Sequence, residues 1–145
     1  MVATINTPAF AVTKSGDQTI NDVTLTTITF DVEDFDTDTA FASNKFTVPS
    51  DKPGLYFFQS EIFANSANDI GQINLELYKT PSGGSAASVA STEVYGHSTG
   101  SPRSYMSRIT HVESMAAGDA MEIKIYHDTA SDGTLLVNQS NQNTD

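Results

Sequence analysis

The chain has 145 residues, a net charge of −11 from 18 acidic and 7 basic side chains, and no cysteine. This length suits a single domain whose core is stable without disulfides. The charge argues against nucleic acid or an anionic membrane as a partner, because an acidic surface repels phosphate groups. No apolar run approaches the ~20 residues of a membrane helix. Since Met1-Val2-Ala3 does not open a signal peptide, we expect synthesis in the cytoplasm.

Alternation of apolar and polar residues predicts β-strands along most of the chain, separated by turns rich in Gly, Pro, Asn, Asp and Ser. Only residues 85–91, Ser-Ala-Ala-Ser-Val-Ala-Ser, offer a short helix as an alternative. About nine strands with almost no helix predict an all-β, two-sheet antiparallel sandwich. It would span residues 1–145 as one domain, with polar terminal arms at about 1–7 and 138–145. The predicted strands are residues 8–14, 23–32, a short pair within 41–48 around Asn44, 54–64, 73–78, 91–97, 105–112, 121–127 and 135–137.

The strand predicted at 54–64, Gly-Leu-Tyr-Phe-Phe-Gln-Ser-Glu-Ile-Phe-Ala, has large apolar residues on both faces. Alternation sends Tyr56, Phe58, Ser60 and Ile62 to one side. The other side then carries Leu55, Phe57, Gln59, Glu61 and Phe63. If the first set fills the sandwich, Phe57 and its neighbours require a partner outside the subunit. The alternative is a monomer in which a loop covers Phe57.

Two linked motifs, Phe46-Thr47-Val48-Pro49 and Gly54-Leu55-Tyr56-Phe57-Phe58, resemble the jelly-roll family of complement component 1q heads and tumour-necrosis-factor ligands. Weaker matches extend the resemblance over residues 8–128 and include Gly118-Asp119. The resemblance implies a ten-strand, two-sheet jelly roll that trimerises about a threefold axis. It places Phe57, Gln59, Tyr105 and Met106 at the trimer interface. Arg103 and Arg108 flank the second interface strand, where they would pair with Glu61 or Glu113 of a neighbour or remain solvated.

The sequence departs from the family pattern in two places. Members usually close with an apolar Phe-x-Gly strand, which is not found here. Either residues 133–138, with Leu135, Leu136 and Val137, take its place, or the strand is missing or comes from another chain. The collagen-like stalk that often precedes the complement heads is also missing from this sequence.

Candidate chemical groups are sparse. The acidic run 31–38, Asp-Val-Glu-Asp-Phe-Asp-Thr-Asp, has the oxygen density of a Ca²⁺ site but lacks the Gly and the final Glu of an EF-hand loop, so a solvated loop is the favoured interpretation. The segment 65–69 also offers oxygens. His97, His111 and His127 lack zinc-site spacing and are expected to be hydrogen-bonded surface or interface side chains. No nucleophile elbow or phosphate-binding loop is found. We therefore expect no catalytic residues and no cofactor, with Ca²⁺ the one metal to consider.

These features predict a trimeric, non-enzymatic structural protein of a phage-like virion. It would be a decoration or cement protein, or a fibre head, that lies at the virion surface and stabilises the shell. The expected partner is a capsid or other virion protein, contacted by terminal residues Met1, Val2, Ile5, Asn138 and Asp145. The alternative is an extracellular trimeric recognition module that binds a cell-surface glycan or protein through loops 65–69, 83–85 and 97–102. A secreted ligand of the animal type is less favoured, because the stalk is missing.

Overall fold

A computed structural model describes residues 8–96, 103–129 and 134–137. Nearly all of the regular structure in these residues is β-strand, and none of them form a helix that could span a membrane. Within the described ranges the strands are β1 (Phe10–Thr13), β2 (Gln18–Asn21), β3 (Thr26–Thr27), β4 (Val32–Asp36), β5 (Phe41–Ala42), β6 (Lys45–Thr47), β7 (Gly54–Ser66), β8 (Ile70–Thr80), β9 (Ala87–Tyr95), β10 (Arg103–Met115), β11 (Ala120–Thr129) and β12 (Thr134–Val137).

The strands form two facing sheets and one small separate pair. The β7 sheet has the order β10-β7-β12-β2. The β8 sheet has the order β5-β6-β11-β8-β9, and β3 adds to the edge of β11 beyond β6. Strands β1 and β4 pair only with each other. Every described ladder is antiparallel, so the predicted all-β antiparallel sandwich is confirmed.

The core lies between the two sheets and is built by period-two alternation. In β8, Ile73, Leu75 and Leu77 are buried, whereas the intervening residues are half-buried. In β7, Phe58 and Ile62 face the core. An aromatic cluster closes one end, where the Phe46 ring lies 5.1 Å from Phe10, 5.3 Å from Tyr56 and 5.7 Å from Phe58. Ring pairs at these distances stabilise a core beyond simple burial, by about 1 kcal/mol each.

One predicted strand pair is confirmed, and the open alternative about the closing strand is decided. The pair around Asn44 is the β5–β6 hairpin, whose two-residue turn has φ angles of 52° at Ser43 and 64° at Asn44, as tight hairpins require. The closing strand is formed by this chain as β12, in which Leu135 and Val137 are fully buried. Strand β12 pairs with β2 along its length and with β7 at Ala64 and Asn65.

The strand predicted at 23–32 is wrong as a continuous element, because side chains take the N–H groups of Thr29 and Phe30. Only Thr26–Thr27 pairs as a strand before β4 begins at Val32. The Gln18 carboxamide oxygen accepts the Thr29 N–H at 2.9 Å, and that of Asn44 accepts the Phe30 N–H at 2.8 Å. Strand β2, which supplies Gln18, was not predicted from the sequence.

The alternative helix at 85–91 is also wrong. Strand β9 (Ala87–Tyr95) pairs with the edge of β8 over nearly its whole length. A helix of seven residues is unstable alone, whereas an open strand edge supplies backbone partners at once.

The fold predicts that Gly96 tolerates no side chain. A Cβ at this position would overlap the Ile70 carbonyl oxygen, and the Gly96 N–H donates to the Gly71 carbonyl at 3.1 Å. We expect Gly96→Ala to lower the free energy of unfolding by about 2 kcal/mol, because the backbone must shift. The check is urea unfolding at fixed chain concentration. Gly16→Ala is the matched control, since nothing lies within 4 Å of a Cβ there. Equal stability of the two variants would contradict this packing.

The fold also predicts that Asp119 makes stability depend on acid. Its carboxylate accepts the Ser82 and Ala116 N–H groups at 2.9 Å each, and these bonds, with Lys79 at 3.4 Å, hold its pKa below the ordinary 3.8. A carboxyl whose pKa is lowered by folding stabilises the fold above its unfolded pKa, and that stability is lost as pH falls through the folded pKa.

We therefore expect Asp119→Asn to cost about 2 kcal/mol at pH 7. The difference from the unmodified chain should shrink as the pH falls below about 4, because the carboxylate itself then becomes protonated. Urea unfolding at pH 7, 5 and 3 measures this. Asp34→Asn, at an exposed position of β4, is the control. A difference that stays constant across this range would contradict the assigned role of the carboxylate.

Candidate subunit interface on strands β7 and β10

Strands β7 and β10 form a thirteen-residue antiparallel ladder that positions the candidate interface. Alternate residues of both strands point away from the core, and the register places them opposite one another. We call this surface the outer face. It consists of the pairs Leu55–Ser114, Phe57–Val112, Gln59–Thr110, Glu61–Arg108 and Phe63–Met106.

Two apolar pairs occupy the two ends of the outer face. Phe57 is 66% exposed and its partner Val112 is 56% exposed, while Phe63 and Met106 are 44% and 65% exposed. Leu55, at 77%, continues the apolar area beyond Phe57. Large apolar side chains clustered on one sheet face mark an interaction surface rather than random exposure. The sequence prediction that Leu55, Phe57 and Phe63 lie outside the core of the subunit is thus confirmed.

Polar pairs lie between the two apolar ends. The Arg108 side chain donates two hydrogen bonds to one Glu61 carboxylate oxygen, from Nε at 2.7 Å and from the terminal guanidinium nitrogen. The sequence suggested a partner in a neighbouring subunit, but the structure places this pair within one chain. Both side chains are exposed, so in one subunit the pair contributes only about 0–1 kcal/mol. If a second subunit packed against the outer face, this pair would fix how the two subunits align more than it would raise their affinity.

Glu113 also finds its partners within the chain, on the other side of β10. Its carboxylate lies 2.9 Å from His111 Nε2 and 3.0 Å from Lys79 Nζ. The hydrogen bond to His111, followed by that to Lys79, lowers the Glu113 pKa. These contacts join β10 to β8 at the edge of the core.

Tyr105 lies on the opposite side of β10 from the other predicted interface residues. It is half-buried and packs against the core, beside Gly96. Neighbouring residues of a strand face opposite sides, so Tyr105 and Met106 cannot share one face. The structure therefore brings together Phe57, Gln59 and Met106 but separates Tyr105 from them. The structure also places Val112 on the outer face. Counting every second residue of β10 from Met106 would have identified it.

The acidic run 31–38 is largely strand β4 rather than a loop, and its carboxylates have separate partners. Asp31 accepts hydrogen bonds from Ser15, Asp36 accepts the Phe41 N–H at 2.7 Å, and Asp38 pairs with Lys52. Hydrogen bonds or ion pairs with these groups lower the pKa of all three carboxyl groups. At Asp36, burial acts to raise the pKa, but the backbone hydrogen bonds together outweigh it. Among the described residues, no three His, Asp or Glu side chains converge as metal ligands.

His127 differs from its predicted surface position, because it is fully buried in β11. Its Nε2 lies 2.9 Å from the Ile20 carbonyl oxygen, and its Nδ1 lies 3.5 Å from the Asp22 carboxylate without a described hydrogen-bond partner. These contacts hold β11 against β2 across the sandwich. His97 and the predicted shell-contact residues Met1, Val2, Ile5, Asn138 and Asp145 lie outside the described residues.

No protein-family model matches the chain, and no curated protein matches its sequence. Many solved structures resemble it in three dimensions, and two of them show the extent of the likeness. The globular domain of zebrafish complement 1qA protein is 19% identical, with a TM-score of 0.51 over 86% of this chain and 93% of that chain. Eiger TNF from S. frugiperda is 13% identical, with a TM-score of 0.58 over 89% of this chain and 88% of that chain.

The chain has the jelly-roll fold of these two proteins. The resemblance inferred from Phe46–Pro49 and Gly54–Phe58 is therefore confirmed at the level of the fold. In this jelly roll, the second motif begins β7 and the first contributes Phe46 to the aromatic cluster behind it. The motif Gly54–Phe58 thus places Phe58 in the core and leaves the ring of Phe57 exposed.

Proposed function

We propose that this jelly roll is a non-enzymatic structural module that assembles as a homotrimer through the outer face of β7 and β10. The observation that carries the proposal is the exposure of Phe57, Phe63, Met106 and Val112 on one continuous sheet face. Burying one such side chain contributes about 1.5–3 kcal/mol. Several such side chains are buried per subunit when three subunits close into a ring. Their burial suffices to offset the translational and rotational freedom that the subunits lose on association.

We further propose that the trimer decorates the surface of a phage-like virion, as a cement protein or a fibre head, and stabilises the shell. The high negative charge supports this role, because it keeps the free protein soluble and directs the acidic surface toward solvent. Small trimeric jelly rolls suit threefold positions of a shell, which is an argument from fold alone. A trimer that binds only the assembled shell stabilises it by mass action.

A recognition module is the second candidate, and one exposed aromatic favours it. Tyr95 is 70% exposed at the end of β9, where it pairs with Gln72 of β8, near the turn that joins β7 to β8. Its hydroxyl donates to Glu93 at 2.9 Å, and an exposed aromatic ring of this kind is able to stack on a sugar. In this case the protein would be extracellular, and three weak sites would act together through avidity.

The outer face makes a direct prediction for assembly. We expect a solution mass near three chains for the unmodified protein, insensitive to salt because the contact is largely apolar. Phe57→Ser should shift this mass toward one chain at micromolar concentration, since about 2 kcal/mol of burial is lost per subunit.

Light scattering coupled to gel filtration measures the mass, and circular dichroism verifies that each variant is folded. Phe35→Ser is the matched control, because Phe35 is also a half-exposed phenylalanine but lies on β4. A folded single-chain unmodified protein, or equal masses for both variants, would refute the proposed interface.

The virion role predicts where the protein is found. An antiserum against the recombinant protein, used for immunogold electron microscopy of concentrated particles from the source culture, should label particle surfaces at regular positions. Removing the protein from these particles should lower the temperature at which the shell loses integrity. Adding the protein back should restore the original temperature. Phe57→Ser should fail to restore them, whereas Phe35→Ser should succeed. Labelling of cells without labelling of particles would reject the virion role and support the recognition module.

A further inference from the structure

The solvent-facing side of β8 carries polar side chains that the neighbouring strands extend. Antiparallel pairing places Gln72 of β8 beside Tyr95 of β9. It places Asn74 of β8 beside Glu93 of β9 on one side and Tyr126 of β11 on the other. The intervening residues of β8 are buried in the core, so these five side chains point away from it. We call this surface the β8–β9 face.

Hydrogen bonds join four of these side chains into one chain. The Gln72 amide donates to the Asn74 carboxamide oxygen at 2.8 Å. The Asn74 amide donates to one Glu93 carboxylate oxygen at 3.2 Å, and the Tyr95 hydroxyl donates to the other at 2.9 Å. These bonds hold the side chains in place before a ligand arrives, which reduces the entropy that binding would cost.

The hydrogen-bonded chain keeps donors and acceptors for a ligand. A carboxamide has both N–H donors and an acceptor oxygen, and a carboxylate accepts about four hydrogen bonds, so the bonds described use only part of this capacity. The Tyr126 hydroxyl adds a group that has no hydrogen-bond partner among the described residues. Mixed donors and acceptors match hydroxyl groups, which do both. They match less well a phosphate, which mainly accepts, or an ammonium group, which only donates.

Two tyrosine rings flank the hydrogen-bonded chain. Tyr95 is 70% exposed, and Tyr126 is half-buried. The strands that carry them lie on opposite sides of β8 and are therefore about 10 Å apart, since neighbouring strands are ~4.8 Å apart. An aromatic ring packs against the C–H groups of a sugar while nearby polar groups orient its hydroxyls. A face of this width suits an oligosaccharide better than a single sugar.

The charge of the β8–β9 face disfavours anionic ligands. Glu76 of β8 and Asp128 of β11 also point outward, and neither they nor Glu93 form an ion pair with a described residue. The basic side chain described on this face is Lys124, which contacts Glu122 at 3.5 Å. The resulting negative potential repels sulfated sugars and uronic acids. Among the described residues, the carboxylates do not converge to hold a metal ion either.

We propose that the β8–β9 face binds a neutral oligosaccharide. Its sugar rings pack on Tyr95 and Tyr126. Its hydroxyl groups hydrogen-bond with Gln72, Asn74 and Glu93. The inference rests on the recognition module named above as the second candidate, and it moves the binding from the loops to a sheet face. It needs neither the virion role nor trimerisation, because the outer face belongs to the other sheet.

The experiment titrates the full chain with neutral hexasaccharides of cellulose, chitin, mannan and starch, and with a hyaluronan hexasaccharide as the anionic comparison. Calorimetry should show saturable binding of at least one neutral hexasaccharide, with a Kd of about 1 mM or lower. The hyaluronan hexasaccharide should bind at least about tenfold more weakly than that sugar. Amide NMR signals of residues 72–76 and 91–95 should shift on binding, whereas those of β10 should not.

Variants test the position of the site. Tyr95→Ala should weaken binding at least about tenfold, and Tyr95→Phe, which keeps the ring, should weaken it less. Glu93→Ala, at an exposed position, is the second variant should the first fail to fold. Phe35→Ala is the matched control, because it removes a half-exposed ring from β4, and it should bind normally. Phe57→Ser should also bind normally per chain, so failure of the trimer and failure of the sugar site give different results.

Several results would overturn the proposal. One is that none of the four neutral hexasaccharides binds saturably, and another is that the hyaluronan hexasaccharide binds as tightly as they do. Normal binding by folded Tyr95→Ala and Glu93→Ala variants would reject this face, as would NMR shifts confined to the loops. These outcomes would leave the predicted mass of three chains untouched, since that mass depends on the outer face.

Discussion

The structure depends on one constraint, which is that β7 carries large apolar side chains on both of its faces. A sheet in a sandwich buries one face only, and here that face holds Phe58 and Ile62. The opposite face, with Leu55, Phe57 and Phe63, remains at the surface of the subunit. The ladder with β10 then adds Met106 and Val112 to the same surface. The proposed interface therefore follows from the position of this strand.

Much of the fold could be predicted because the relevant signals are local. Strands β7, β8 and β11 have clear alternation, and the pattern of apolar and polar residues is enough to locate each of them. The motif around Phe46 and the one beginning at Gly54 carried the jelly-roll resemblance. The outer face of β7 followed from the same alternation. The same argument extends to β10. Because alternate residues of a strand share a face, Val112 lies on the outer face with Met106, and Tyr105 lies on the core side.

The errors arose where distant side chains determine the backbone. Gln18 and Asn44 accept N–H groups that a regular strand would have paired, so the pattern at 23–32 did not become one strand. Residues 87–95, part of which had a weak helical pattern, form β9 because they pair with the edge of β8. The partner of Arg108 depended on the register of β7 and β10, which no single segment specifies. Such contacts join residues far apart in sequence, and local patterns do not contain them.

The position of β12 has a consequence for synthesis of the protein. Among the described strands, β2 is joined to β7 only through β12, which is the last of them in the sequence. While the nascent chain is on the ribosome, Ile20 therefore lacks the sheet neighbour that later buries it. The sandwich can close only after residues 134–137 have left the exit tunnel. Pairing of β2 with the rest of this sheet therefore waits for the synthesis of β12, and until then its apolar residues are exposed to aggregation.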